Sequence, residues 1–246
     1  MTAMLHAELL KLRTTRTFVA LTGVAVFTSL VIVVLVCLLT EPEEDTVLTD
    51  VFTVDTSSLF IIVLAVVGIT GEWRHRTIAG SLLAAPMRVR FLASKTFAYA
   101  VAGLVMSLAI SIVVAIAGAT ILSFRDLPLP GLAELAGQIG RNALIAALLG
   151  AFGVAIGGLV RNQVAGIVGV LLLSLVLEPV VLSLAGEVGR YGPFGALPAT
   201  LQGVPPSTIG LTDAEPLDVW FAGGLMLAWI GGAFALAAAL LHRRDL

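Results

Sequence analysis

"FVALTGVAVFTSLVIVVLVCLL", residues 18–39, runs for 22 positions without one charged side chain. As a helix rising 1.5 Å per residue it would be about 33 Å long, close to the roughly 30 Å hydrocarbon core of a bilayer. Hydrocarbon offers no water to a backbone N–H or C=O, so a segment there must pair its own polar groups, as a helix does. The run reads as a membrane span. Lys11, Arg13 and Arg16 precede it. It is longer than the roughly 7–15 apolar residues of a signal peptide, and no A-x-A cleavage site follows, so it reads as an uncleaved first span.

The composition extends that reading to the whole chain. The 246 residues are 59% hydrophobic and 12% charged, with a mean hydropathy of +1.06. A soluble domain is about a quarter charged, so too little polar material is present to cover a water-soluble globule. Five more stretches are long and apolar enough to cross: 51–71, 96–122, 142–160, 164–184 and 219–241. The second starts among Thr53, Asp55, Thr56, Ser57 and Ser58, so its helix is expected to begin at headgroup depth. No repeat, low-complexity tract or soluble module is left over. The expectation is an all-α polytopic membrane protein with six transmembrane helices, forming one domain over residues 1–246.

Loop charge sets the orientation, because cytoplasmic loops carry an excess of Lys and Arg. One side of the six-span arrangement holds Lys11, Arg13, Arg16, Arg74, Arg76, Arg88, Arg90, Lys95, Arg161, Arg243 and Arg244, and the other holds Arg125, Arg141 and Arg190. The acidic loop "EPEEDTVLTD" (residues 41–50) falls on the second side. Both termini are expected in the cytoplasm, with the chain in the cell membrane. The external segment 185–217, rich in Pro and Gly but dotted with Phe194, Leu197 and Leu201, reads either as a surface loop or as a short re-entrant helical hairpin.

Several chemistries are absent. The sequence has no G-x-x-x-x-G-K-[ST], no H-E-x-x-H and no G-x-S-x-G, the patterns that cradle nucleotide phosphates, hold a catalytic zinc or present an acyl-transfer serine. Cys37 is alone, and His6, His75 and His242 are scattered, so neither a disulfide within the chain nor a metal site is expected. Glu178 is the one full charge in the interior of a span, followed by Pro179. An intramembrane acid is expensive, and it reads equally as a pathway group or as a hydrated structural carboxylate. Gly103, Ser107, Ser111 and Ala115 in the third span, and Gly150, Gly153 and Gly157 in the fourth, form small-residue stripes that let helices pack closely.

The basic island "GEWRHRTIAGSLLAAPMRVRFLASK" (residues 71–95) lies between the second and third spans. Residues 72–85 are free of helix breakers except Gly80, and Pro86 stops them. The expectation is a short amphipathic helix on the membrane face, with Glu72, Arg74, His75 and Arg76 in its first turns and an apolar side around Ile78 and Leu82. Arg76, four residues on, is the helical partner in reach of Glu72. Arg88 and Arg90 are placed to meet lipid phosphates or a partner's carboxylates, and Lys95 stands at the mouth of the third span.

The order Gly71-Glu72, Thr77, Pro86, Arg88 or Arg90, Lys95, between spans two and three, resembles the permease subunits of type-2 ATP-binding-cassette exporters. The resemblance covers the layout of the whole chain and, in motif, residues 71–95. It implies that 72–85 is a coupling helix docked on a separate cytoplasmic ATPase, with Glu72, Arg74, His75, Arg76, Thr77, Arg88, Arg90 and Lys95 at or near the docking surface. It implies an interfacial amphipathic N-terminal helix flanked by Lys11, Arg13 and Arg16. A second permease copy or paralogue would complete the complex, and a pathway lined by spans two and five would bring Ser57, Ser58 and Glu178 near the route. The chain itself would be a transport subunit and not an enzyme, with ATP and Mg on the partner and no cofactor of its own. Membrane lipids are expected partners and nucleic acid is not. The expected cargo is apolar or amphipathic, such as a drug, lipid or peptide. An ion-coupled carrier or channel, and a non-transporting scaffold, are the alternatives.

Overall fold

The fold is taken from a computed structural model that describes residues 2–75, 77, 87–160, 162–211, 215 and 217–243. Its helices are α1 (Thr2–Thr14), α2 (Arg16–Leu39), α3 (Val47–Val51), α4 (Ser57–Arg74), α5 (Arg88–Phe124), α6 (Leu132–Leu159), α7 (Gln163–Leu172), α8 (Glu178–Leu184), α9 (Gly186–Gly189), α10 (Ala196–Gln202) and α11 (Val219–Arg243). A π-helical stretch, Leu173–Leu177, joins α7 to α8 into one rod, and a 3-10 turn covers Pro206–Ile209. Six rods are long and apolar enough to cross a membrane: α2, α4, α5, α6, the composite Gln163–Leu184 and α11. This is the architecture of a multi-pass membrane protein.

The spans match the hydropathy reading in number, but their ends differ for local reasons. α4 starts at Ser57, because Thr56 and Asp55 are drawn into a turn: Ser29 and Thr56 hydroxyls lie 2.8 Å apart, and Ser57 N–H donates to Asp55 Oδ1 at 2.8 Å. α4 ends at Arg74, so Glu72 belongs to the last turn of the second span. α5 begins at Arg88 and runs for 37 residues, about 55 Å of helix. Its basic first turns therefore stand clear of a roughly 30 Å hydrocarbon core. α6 begins ten residues before the apolar run, where Gly131 N–H donates to Glu134 Oε2 at 3.0 Å.

α6 is the central rod. Of its most apolar 18-residue window 72% is buried, against 17% for the fifth and sixth spans. Its closest neighbour is α5. A methyl group at Gly103 would collide with the Ala146 carbonyl, and one at Gly150 with the Tyr99 carbonyl, so the two backbones touch at these glycines, while Gly153 and Gly157 of the α6 stripe face α4. The segment after α8 also packs inward. Ala196, Leu197, Pro198 and Ala199 of α10 are buried, and α10 sits against α6 and α11. The expected helix over 72–85 falls largely on residues 76 and 78–86, which lie outside the described residues; α4 carries its first three positions, followed by His75 and Thr77.

Candidate functional site: a buried four-charge cluster

α1 builds one side of the site. Its inward stripe runs Leu5, Glu8, Leu12, at the three- and four-residue spacing of one helix face; Leu12 and Glu8 are both buried. An acid on an apolar stripe must find a base, and Glu8 finds two. Lys95 Nζ donates to Glu8 Oε2 at 2.7 Å, and Lys11 Nζ to Glu8 Oε1 at 3.0 Å. Glu72 closes the cluster from the end of α4: Lys95 and Lys11 each reach its Oε1 at 3.2 Å, and the Thr77 hydroxyl donates to its Oε2 at 3.1 Å.

Lys95 is the hub. Its side chain is 2% exposed, and its ammonium lies 5.5 Å from the centroid of the Phe91 ring one turn earlier on α5. Burying a single ammonium costs several kcal/mol even after relaxation, and the cost is offset only when close opposite charges and hydrogen bonds surround it. Two carboxylates and two ammoniums meet that condition with zero net charge. Lys11 stands half out in water. Burial pulls its pKa down, but Glu8 and Glu72 together outweigh this, and the value lies above the usual lysine 10.5. Tyr99, the next turn after Lys95, is buried, and its hydroxyl rests where a side chain on Gly68 would sit. A cavity of about 810 Å³ opens beside the cluster, with Glu8, Lys11, Glu72, Lys95 and Tyr99 in its wall.

The other expected docking residues sit around this core. Arg74 Nη1 donates to Gln163 Oε1 at 3.1 Å, tying the end of α4 to the start of the fifth span. Arg88 hydrogen-bonds the Leu241 carbonyl and reaches the His242 carbonyl at 3.4 Å, tying the start of α5 to the end of α11. His75, Thr77 and Arg90 are exposed, as are Arg13 and Arg16. Arg76 lies outside the described residues. The described charged partners of Glu72 are Lys11 and Lys95, which pin it across three helices. Glu8 and Tyr99 escaped the sequence reading, although the placing of Glu8 between Leu5 and Leu12 was a usable signal.

The expected pathway residues do not form one site. Ser57 is buried and its hydroxyl finds no hydrogen-bond partner among the described residues; Ser58 is half-buried. α4 packs on α7, the half of the fifth span that precedes Glu178. Near the start of α4, Asp55 Oδ2 accepts the Ser107 and Ser111 hydroxyls. Asn142 donates to Ser111 Oγ at 3.2 Å and to the Phe52 carbonyl at 3.1 Å, and accepts from Gln138 and Gln202, each at 3.1 Å. Glu178 faces the loop that follows it, where it accepts the Phe194 N–H at 2.9 Å, the Gly195 N–H at 2.7 Å and the Ala196 N–H at 2.9 Å. Among the described residues, no group of three or more His, Cys, Asp or Glu is placed to hold a metal ion. No protein-family model matches the chain, and no curated protein matches it.

Proposed function

We propose that the chain is the membrane-spanning subunit of an ATP-driven exporter of apolar or amphipathic substrates. In this reading a separate ATPase docks on the segment 72–90, a second permease chain completes the pathway, and both termini face the cytoplasm. The observation that carries it is the four-charge cluster. Glu72 and Lys95 bracket residues 76–86 from both sides; they are ion-paired to each other, and Lys95 also pairs with Glu8 of α1. A displacement of that segment by a partner is therefore delivered to α1, α4 and α5 together rather than absorbed by a slack loop. The two-state element would be this unit moving against the central α6, the kind of rigid-body shift that couples a distant binding event to a pathway. The inward packing of α10 supports a helical hairpin after the fifth span, short and re-entrant.

The test is co-purification. The tagged chain, extracted in mild detergent from its native host, is expected to bring down a polypeptide carrying a P-loop. Reversing the exposed charge with Arg74→Glu is expected to reduce that recovery while leaving the permease folded. If no P-loop protein is recovered, and R74E leaves export intact, the reading fails. An ion-coupled carrier is the second reading, and the Asp55–Ser111–Asn142 network favours it; an ion gradient driving transport in ATP-free proteoliposomes would decide for it.

A further inference from the structure

A groove of about 870 Å³ lies between the fifth span and α11, running from Tyr191 and Phe194 to Leu159 and Leu236. Its volume falls within the roughly 300–1,000 Å³ of sites that hold drug-sized molecules. Its rim is apolar and open: Leu177 is 55% exposed and Leu236 54%. Its inner wall is aromatic. The Phe152 and Phe194 rings lie 5.5 Å apart at 46°. Trp229, 45% exposed, adds an aromatic face nearer the rim, held by its indole N–H donating to the Tyr191 carbonyl at 3.0 Å.

Glu178 is the acid in that lining. Its three backbone N–H partners satisfy its oxygens as acceptors but bring no positive charge. Among the described residues no Lys, Arg or His pairs with it, and Arg190, the base of the adjoining loop, is held by Glu187 at 2.7 Å and lies over the Tyr191 ring. A carboxylate without a counter-charge at membrane depth is a costly arrangement. Aromatic faces attract cations, more so when water is excluded. We propose that this groove binds lipophilic organic cations, with Glu178 as the counter-charge and Phe152, Phe194 and Trp229 as the aromatic wall. As a statement about cargo it rests on the exporter reading; as a statement about binding it concerns this chain alone.

The probe is methyltriphenylphosphonium, with triphenylphosphine oxide as an uncharged compound of similar size. Both are titrated against the purified full chain in lipid nanodiscs, and empty nanodiscs provide the partition baseline. Saturable binding of the cation is expected, at least about tenfold tighter than that of the neutral compound. Trp229→Leu and Phe152→Leu, which leave the carboxylate in place, are each expected to weaken the cation about threefold to thirtyfold, the range of a desolvated cation–π contact. Glu178→Gln is expected to erase the preference for charge. Should E178Q fail to fold, the charged and neutral probes on the wild-type chain and the two aromatic variants still decide the matter. Equal binding of both compounds, no saturable binding above empty discs, or indifference to both aromatic variants would each overturn the site. No ATPase is present, so a failure here leaves the co-purification result standing, and the reverse.

Discussion

Glu72 and Glu178 are both buried acids, at 6% and 7% exposure, yet they are kept in opposite ways. Glu72 is neutralised by two ammoniums from distant parts of the chain, 61 and 23 residues away. Glu178 is held by three backbone N–H groups 16 to 18 residues downstream, with no cation paired to it among the described residues. The first arrangement clamps three helices and cancels its own charge. The second folds a loop onto its own helix and leaves the charge without a paired cation among the described residues, in the lining of the groove. Position along the rods thus decides what a buried acid does: at the basic end it is a fastener, at the far end a recognition element.

The contrast is most sharply broken by Lys95→Met, which removes the buried ammonium that Glu8 and Glu72 share. Removing one partner of a buried pair costs about 3–5 kcal/mol, so a large drop in the thermal midpoint in detergent is expected. Glu8→Gln in the same chain is expected to recover part of the loss. A K95M chain that melts like wild type would mean the cluster clamps nothing. Gly150→Val is the next largest. Overpacking the α5–α6 seam costs about 1–3 kcal/mol or more, and hydrogen exchange is expected to rise at both ends of the bundle, since both are mounted on that seam. Glu178→Gln tests the far end alone. A Gln amide points an N–H at backbone donors, a mismatch of about 1–3 kcal/mol. Exchange is expected to rise over 194–202 and to stay unchanged in α1.

Lys11→Met is expected to be the mildest, below about 1 kcal/mol, because an exposed ion pair contributes little. Its pH dependence has a definite sign. The Lys11 pKa is raised above 10.5 in the folded chain, so its contribution is fully present below that value and is lost as pH rises through the folded value. The difference in melting between wild type and K11M should therefore be flat around neutrality and vanish only in strong alkali.

The six spans were legible because hydrocarbon imposes one rule on every residue of a span, and 22 uncharged positions in a row satisfy it visibly. Glu72 was legible as an acid among bases, but its partners were not. The i+4 rule points to Arg76, which lies outside the described residues, and gives no sign of Lys95 and Lys11, which meet Glu72 once α1, α4 and α5 are packed. Glu178 was legible as a cost, and its remedy was hidden in "GPFGA", residues 192–196, whose backbone rather than side chains satisfies it. A methyl group on Gly192 would push the carboxylate away from these donors. Long-range pairing and backbone donors leave no periodic trace, which is why the spans could be read and the site could not.

The π-helical stretch Leu173–Leu177 sets the phase of the fifth span. Below it, Gly166 and Val170 are the buried positions. Continued at 3.6 residues per turn, that face would arrive at residue 177 and then 181. The buried positions above it are instead Glu178 and Leu182, about one residue later, a rotation of about 100°. One surplus residue in the helix thus works as an indexing step, turning the upper half of the rod so that its acid meets the loop while the lower half keeps its seat on α4. Removing a single residue between 173 and 177 would turn the stretch into plain α-helix and leave Glu178 on the same face, whereas straightening it at full length would turn Glu178 away from Gly195.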